Sequence, residues 1–266
     1  MEYVSLYWRF VRIRLKGIAQ YRGAFWLNSL SKASLWIVEV FLIWVLVDRF
    51  KSIAGWGPYE LMLLYALNLG SYALAGFFFY HPFTSLPRRI QTGEFDEMLT
   101  KPLNPFLYLL SREFSTGYFS NLTVALAVMI FCFRRLDLTL GVTDALFLAL
   151  VLLGGALIQA AAFVYTAVPA FWMVQNNSLV SLIFDLKDFV KYPITAYHWI
   201  VQIVLTLVVP FAFINFYPAQ RFLGKADEGL FHPVFQYLTP IAGMVLFAGA
   251  YAFWKIGIRQ YHSTGS

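Results

Sequence analysis

Glu39 is the residue most able to do chemistry in this chain, because it interrupts a long apolar run and stands between Trp36 and Trp44. An acidic group at the centre of a bilayer costs about 2.5–3.5 kcal/mol, so it must face protein or water. Two uses fit. Glu39 lines a passage and draws in a cationic or polar substrate, with Trp36 and Trp44 offering ring faces, or it is a protonated or hydrogen-bonded group that holds helices together. Asn28, Ser29, Ser31 and Ser34 make the preceding turns of the same segment polar. They suit a cavity wall or a helix–helix seam equally.

Other chemistries are excluded by spacing. An ATP-hydrolysing loop needs a glycine-rich turn ending in Lys and Ser/Thr to hold phosphate and magnesium. The nearest stretch, Ala219 to Ala226, lacks the first glycine and the final hydroxyl. His81, His198, His232 and His262 lie far apart, without the spacing of a metal site. The single cysteine, Cys132, forms neither an internal disulfide nor a cysteine-pair metal site. No nucleophile, base and orienting group converge, so the chain reads as a non-enzyme that binds no metal and no cofactor. Asn121-Leu122-Thr123 and Asn176-Asn177-Ser178 match glycosylation sequons, yet their expected places within or inside the membrane argue against use.

The elements that position Glu39 follow from composition. The 266 residues are 60% hydrophobic, 19% aromatic and 13% charged, with a mean hydropathy of +0.64. An ordinary soluble domain carries about 25% charged residues. The chain therefore reads as one all-α membrane domain over residues 1–266. The net charge of +6 forms no continuous patch and does not point to nucleic acid. Six apolar segments are expected at Phe25 to Val47, Leu61 to Phe79, Phe114 to Phe133, Ala145 to Val174, Tyr197 to Phe216 and Phe235 to Trp254. The fourth, at 30 residues, is expected to break near Pro169. Residues 1–22 precede them as an amphipathic interfacial helix: Val4, Tyr7, Val11, Leu15 and Ile18 share one face, and Arg9, Arg12 and Lys16 another. Lys and Arg in the connections divide thirteen to six, which sets both termini in the cytoplasm. A further amphipathic stretch, Leu179 to Lys191, is expected at the cytoplasmic membrane surface or against a partner, and the segment after Tyr217-Pro218 is expected to fold partly back as an external gate.

The punctuation of residues 82–105 predicts two short helices in a cytoplasmic loop. Thr84 or Ser85 caps the first, Pro87 fits its first turn and Gly93 closes it in a left-handed conformation. Glu94, Asp96 and Glu97 favour the start of the second, which Pro102 stops.

Gly93-Glu94-Phe95-Asp96, Leu99 and Lys101-Pro102-Leu103 resemble the loop after the second span in bacterial ABC-2 type permeases. Two further stretches carry the likeness: Tyr192-Pro193-Ile194 through Pro210 to Ala219 and Leu223-Gly224, and the ending with Gly257, Tyr261, Ser263, Gly265 and Ser266. The resemblance spans essentially the whole chain. It implies an ABC-2 exporter fold of six transmembrane helices behind an interfacial helix, in the bacterial inner membrane. It also implies two cytosolic ABC ATPase subunits that bind and hydrolyse ATP with Mg, and a second six-span permease, related or identical, within surrounding lipid. Leu86, Arg88, Arg89, Glu94, Phe95, Asp96, Glu97 and Leu99 then form the ATPase-coupling interface. Asn28, Trp36 and Glu39 are the candidate lining of a translocation pathway, with the helix-holding role of Glu39 as the alternative.

The function that follows is export of a small amphipathic, lipid-linked or cationic drug-like compound, powered by the separate ATPase. An ATP-independent secondary transporter should show internal repeats and paired intramembrane charges, and an intramembrane enzyme a convergent reactive set.

Overall fold

The computed structural model describes residues 5, 12, 16, 22–113, 115–173, 177–225 and 229–262. The expected interfacial helix at 1–22 and the last four residues of the C-terminal motif fall almost wholly outside them. Among the described residues the protein is helical, with no strand and one isolated bridge between Ile53 and Trp56.

The helices are α1 (Arg22–Phe50), α2 (Pro58–Ala75), α3 (His81–Thr84), α4 (Leu86–Gln91), α5 (Glu94–Leu99), α6 (Pro105–Arg112), α7 (Phe119–Arg135), α8 (Val142–Ala167), α9 (Asn177–Phe189), α10 (Trp199–Ile203), α11 (Ala212–Leu223) and α12 (Thr239–Arg259). Helical turns join α2 to α4, so Pro58–Gln91 runs as one helix of 34 residues, about 51 Å. That run, Val142–Phe171 and Thr239–Arg259 are long and apolar enough to cross a membrane. Within α1 the described apolar stretch is Ala33–Leu42.

Three expectations change. The fourth segment does not break at Pro169. It tightens into a 3₁₀ turn, Val168–Phe171, which tolerates the missing proline N–H at its start. The expected fifth segment is not straight: Trp199–Val208 and Ala212–Leu223 meet at 107°, around Pro210, which can neither donate to the preceding turn nor let Val209 stay helical. The bend thus lies before Tyr217-Pro218, and α11 continues through Pro218 to a left-handed Gly224.

The third change concerns Leu179 to Lys191, which does not lie across one end of the bundle. Along α9 and the turn after it, Phe184 meets Tyr80 at 6.5 Å, Lys187 meets Tyr72 at 3.3 Å, and Lys191 meets Glu39, which Tyr65 also touches. Tyr80, Tyr72 and Tyr65 are successive levels of the α2 run. The chain from α9 therefore passes back along that run, antiparallel to it. At its far end Asn215 of α11 donates to Val190 O at 2.6 Å and Leu64 O at 3.2 Å, tying three segments together.

The core has two apolar clusters, one around Leu61 to Leu69, α7 and α11, the other around Phe83, Phe95, Phe171 and Trp254. α8 and α12 approach each other closely at Gly154 and Gly243. A Cβ on Gly154 would stand 2.8 Å from Pro240 Cα, so this seam requires glycine there.

Candidate functional site

Two regions carry the residues that the sequence singles out. The first is a groove between α1, α2, α7 and α9. Glu39 lies half-buried in it. Tyr65 donates its hydroxyl to Glu39 Oε2 at 2.6 Å, and Lys191 Nζ stands 2.7 Å from Oε1. Lys191 also reaches Asp188 Oδ1 at 3.0 Å. Such charge-assisted bonds are what allow a carboxylate to sit inside an apolar bundle.

The groove has two compartments that share Trp36, Glu39 and Tyr72. One, of about 150 Å³, is lined by Tyr65, Asn68, Phe184, Lys187, Asp188 and Lys191. The other, of about 370 Å³, is lined by Leu35, Tyr80, His81, Tyr118 and Asn121. Aromatic rings form the wall between them: Tyr72 packs against Trp36 at 6.1 Å, Tyr118 at 5.7 Å and Phe163 at 6.1 Å. These edge and tilted contacts fix the ring orientations.

Trp36 and Glu39 both line this groove. Asn28 lies on the same helix, and its side chain is outside what the structure describes. Sequence reasoning missed Tyr65, Asn68, Tyr72, Lys187, Asp188 and Lys191 as groove residues. The available signal was Glu39 itself, since a buried acid needs a cation and Leu179 to Lys191 supplies two on an amphipathic helix.

The second region is the loop expected to couple to an ATPase. The Gly93 backbone is left-handed, with φ 72°, as its turn requires. Ser85 does not cap a helix start. The α2 run passes through it, and its hydroxyl donates back to His81 O at 2.6 Å. Of the eight residues expected at the interface, Leu86, Arg89 and Phe95 are buried within the chain. Phe95 packs against Tyr261 at 5.2 Å, Phe171 at 5.4 Å and Trp254 at 6.2 Å. Arg89 spans two carboxylates, Glu94 at 2.8 Å and Glu113 at 2.7 Å, and Arg112 joins Glu94 at 3.0 Å. Tyr261 donates to Asp96 Oδ1 at 2.9 Å. Burial, that hydrogen bond and the Asp96 charge push the Tyr261 phenol up to about 12, so it stays a donor at neutral pH. Glu94 and Asp96 thus serve mainly to hold the loop down. Arg88, Glu97 and Leu99 remain exposed on its outer surface.

Among the described residues no group of three or more His, Cys, Asp or Glu side chains could hold a metal ion. The chain matches the family described as ABC-2 family transporter protein over residues 33–265. Comparison with curated proteins and with solved structures gives no match.

Proposed function

The chain belongs to the ABC-2 family of transporter proteins, and on that premise we propose that it is the permease subunit of an ATP-driven exporter of small amphipathic compounds. Family membership makes it an integral membrane component of transport rather than a catalyst. The finer assembly proposed is six spans behind an interfacial helix, two such permeases and two cytosolic ATPases, in the bacterial inner membrane with both termini inside. ATP and Mg act only on the ATPases.

One observation carries the coupling role. Phe95 and Arg89 anchor the turn at Gly93 and the short helix α5 onto the end of the α2 run, while Arg88, Glu97 and Leu99 project from that end. A firmly seated loop transmits a push to α2, α8 and α12 rather than absorbing it, which is what a force-transmitting contact needs. That end also carries Arg88, Arg112, Lys255 and Arg259, in keeping with a cytoplasmic position. The groove around Glu39 is the proposed translocation surface, completed by the second permease.

The test is co-purification of the chain with an ABC ATPase subunit from the same organism. Replacing Arg88, Glu97 and Leu99 together by Glu, Lys and Asp should abolish co-purification and leave thermal stability of the permease unchanged. Retained co-purification would remove the loop from the interface. The opposed charges of Glu39 and Lys191 within the bundle favour a second reading, ATP-independent transport. Substrate movement in liposomes holding this chain without nucleotide would establish it.

A further inference from the structure

The groove's charges are unequally committed. Lys191 engages both Glu39, at 2.7 Å, and Asp188, at 3.0 Å, and Tyr65 fills the second oxygen of Glu39. A cation drawn to Glu39 would have to displace an ammonium held by two carboxylates. Lys187 differs. Among the described residues no carboxylate lies within 4.0 Å of its Nζ, and its ammonium rests 3.3 Å from the centroid of the Tyr72 ring. A ring face answers one direction of an ammonium that carries three donors, so hydrogen-bonding capacity remains beyond the ring. Lys187 lines the smaller compartment, and Trp36 and Tyr72 continue from there into the larger, aromatic one.

We infer that the groove takes an anionic amphiphile, whose carboxylate, sulfonate or phosphate pairs with Lys187 while an aromatic or apolar body lies among Trp36, Tyr80 and Tyr118. This rests on the reading of the groove as the translocation surface and replaces a cationic cargo with an acidic one. An acid reaching Lys187 gains a charge-assisted hydrogen bond in a partly desolvated site, and the shared aromatic wall accepts the rest of the molecule.

The test uses three probes with one ring system, 1-pyrenebutyrate, 1-pyrenebutanol and 1-pyrenebutylammonium. Equilibrium binding is measured on the purified full chain in nanodiscs and corrected with empty nanodiscs. The carboxylate should bind the unsubstituted chain about tenfold more tightly than the alcohol. Lys187→Gln should erase that preference, and Lys187→Arg should keep it, so a general loss of fold is separated from a loss of charge. Tightest binding by the ammonium probe, or a carboxylate preference intact in Lys187→Gln, overturns the inference. Leu35→Trp narrows the larger compartment from its exposed side. If it weakens all three probes while Lys187→Gln leaves the carboxylate preference intact, the groove reading stands and the anionic assignment falls. If it weakens none, the groove is not the binding site and both fall.

Discussion

Lys191 Nζ and Glu39 Oε1 stand 2.7 Å apart, across the seam between the first helix and the segment that follows α9. The pair explains how an acid inside an apolar helix is tolerated, and it fixes the depth to which the α9 segment enters the bundle. Each side chain is roughly one-third exposed, so solvent screens part of the attraction.

A double-mutant cycle reads this contact. Lys191→Met leaves Glu39 without its cation and should destabilise the detergent-purified protein by about 1–3 kcal/mol. Glu39→Gln with Lys191→Met should recover at least half of the lost thermal stability, because neither charge is then stranded. Additive losses would mean the two residues act independently.

Arg89 is the more deeply placed ion, and its two carboxylates come from opposite sides of the loop. Arg89→Met strands Glu113 and should cost about 3–5 kcal/mol. Arg89→Lys should recover only part of that, since a single ammonium cannot span Glu94 and Glu113 in the same geometry. Thermal unfolding of the three proteins gives the order.

Phe95 and Leu99 separate holding from contacting. Phe95→Ala removes a fully buried ring and should cost about 3–5 kcal/mol, with faster proteolysis between residues 92 and 104. Leu99→Ala, on the exposed side, should leave melting unchanged and weaken association with the ATPase. Equal stability losses in both would place Leu99 inside the fold.

Tyr261 gives a pH dependence. Its phenol rises from the ordinary 10.0 to about 12 in the folded state. The stability it contributes is therefore complete below pH 10 and is lost as pH climbs from there through about 12. Melting temperatures of Tyr261→Phe should fall less steeply than those of the unsubstituted chain over that interval. Parallel curves would show that burial and Asp96 together do not raise this phenol in the folded chain.

Much of the loop was legible because proline and glycine impose backbone states that neighbours cannot override. Gly93 adopts the left-handed turn and Pro102 follows the second helix. Less legible was which loop residues face out: Leu86 and Phe95 look like apolar docking residues in a linear reading, yet Trp254, Phe171 and Tyr261 arrive from distant helices to cover Phe95. The α9 segment shows the same limit. Leu182, Ile183 and Leu186 beside Lys187 and Asp188 give one amphipathic pattern whether the polar face meets lipid headgroups or a groove. Only the placement of Glu39 and Tyr72 decides between them. Pro210 was visible, but the apolar residues on both sides concealed a 107° bend inside one hydrophobic run.

The most direct test is transport in liposomes that hold the permease with its ATPase, comparing the unsubstituted loop with Arg88→Glu, Glu97→Lys and Leu99→Asp combined. Transport of an amphiphile should require ATP inside the assay and should fall to background with the altered loop, while the permease still melts at its usual temperature. Uptake or efflux that continues at full rate without nucleotide, or with the altered loop, would contradict the account.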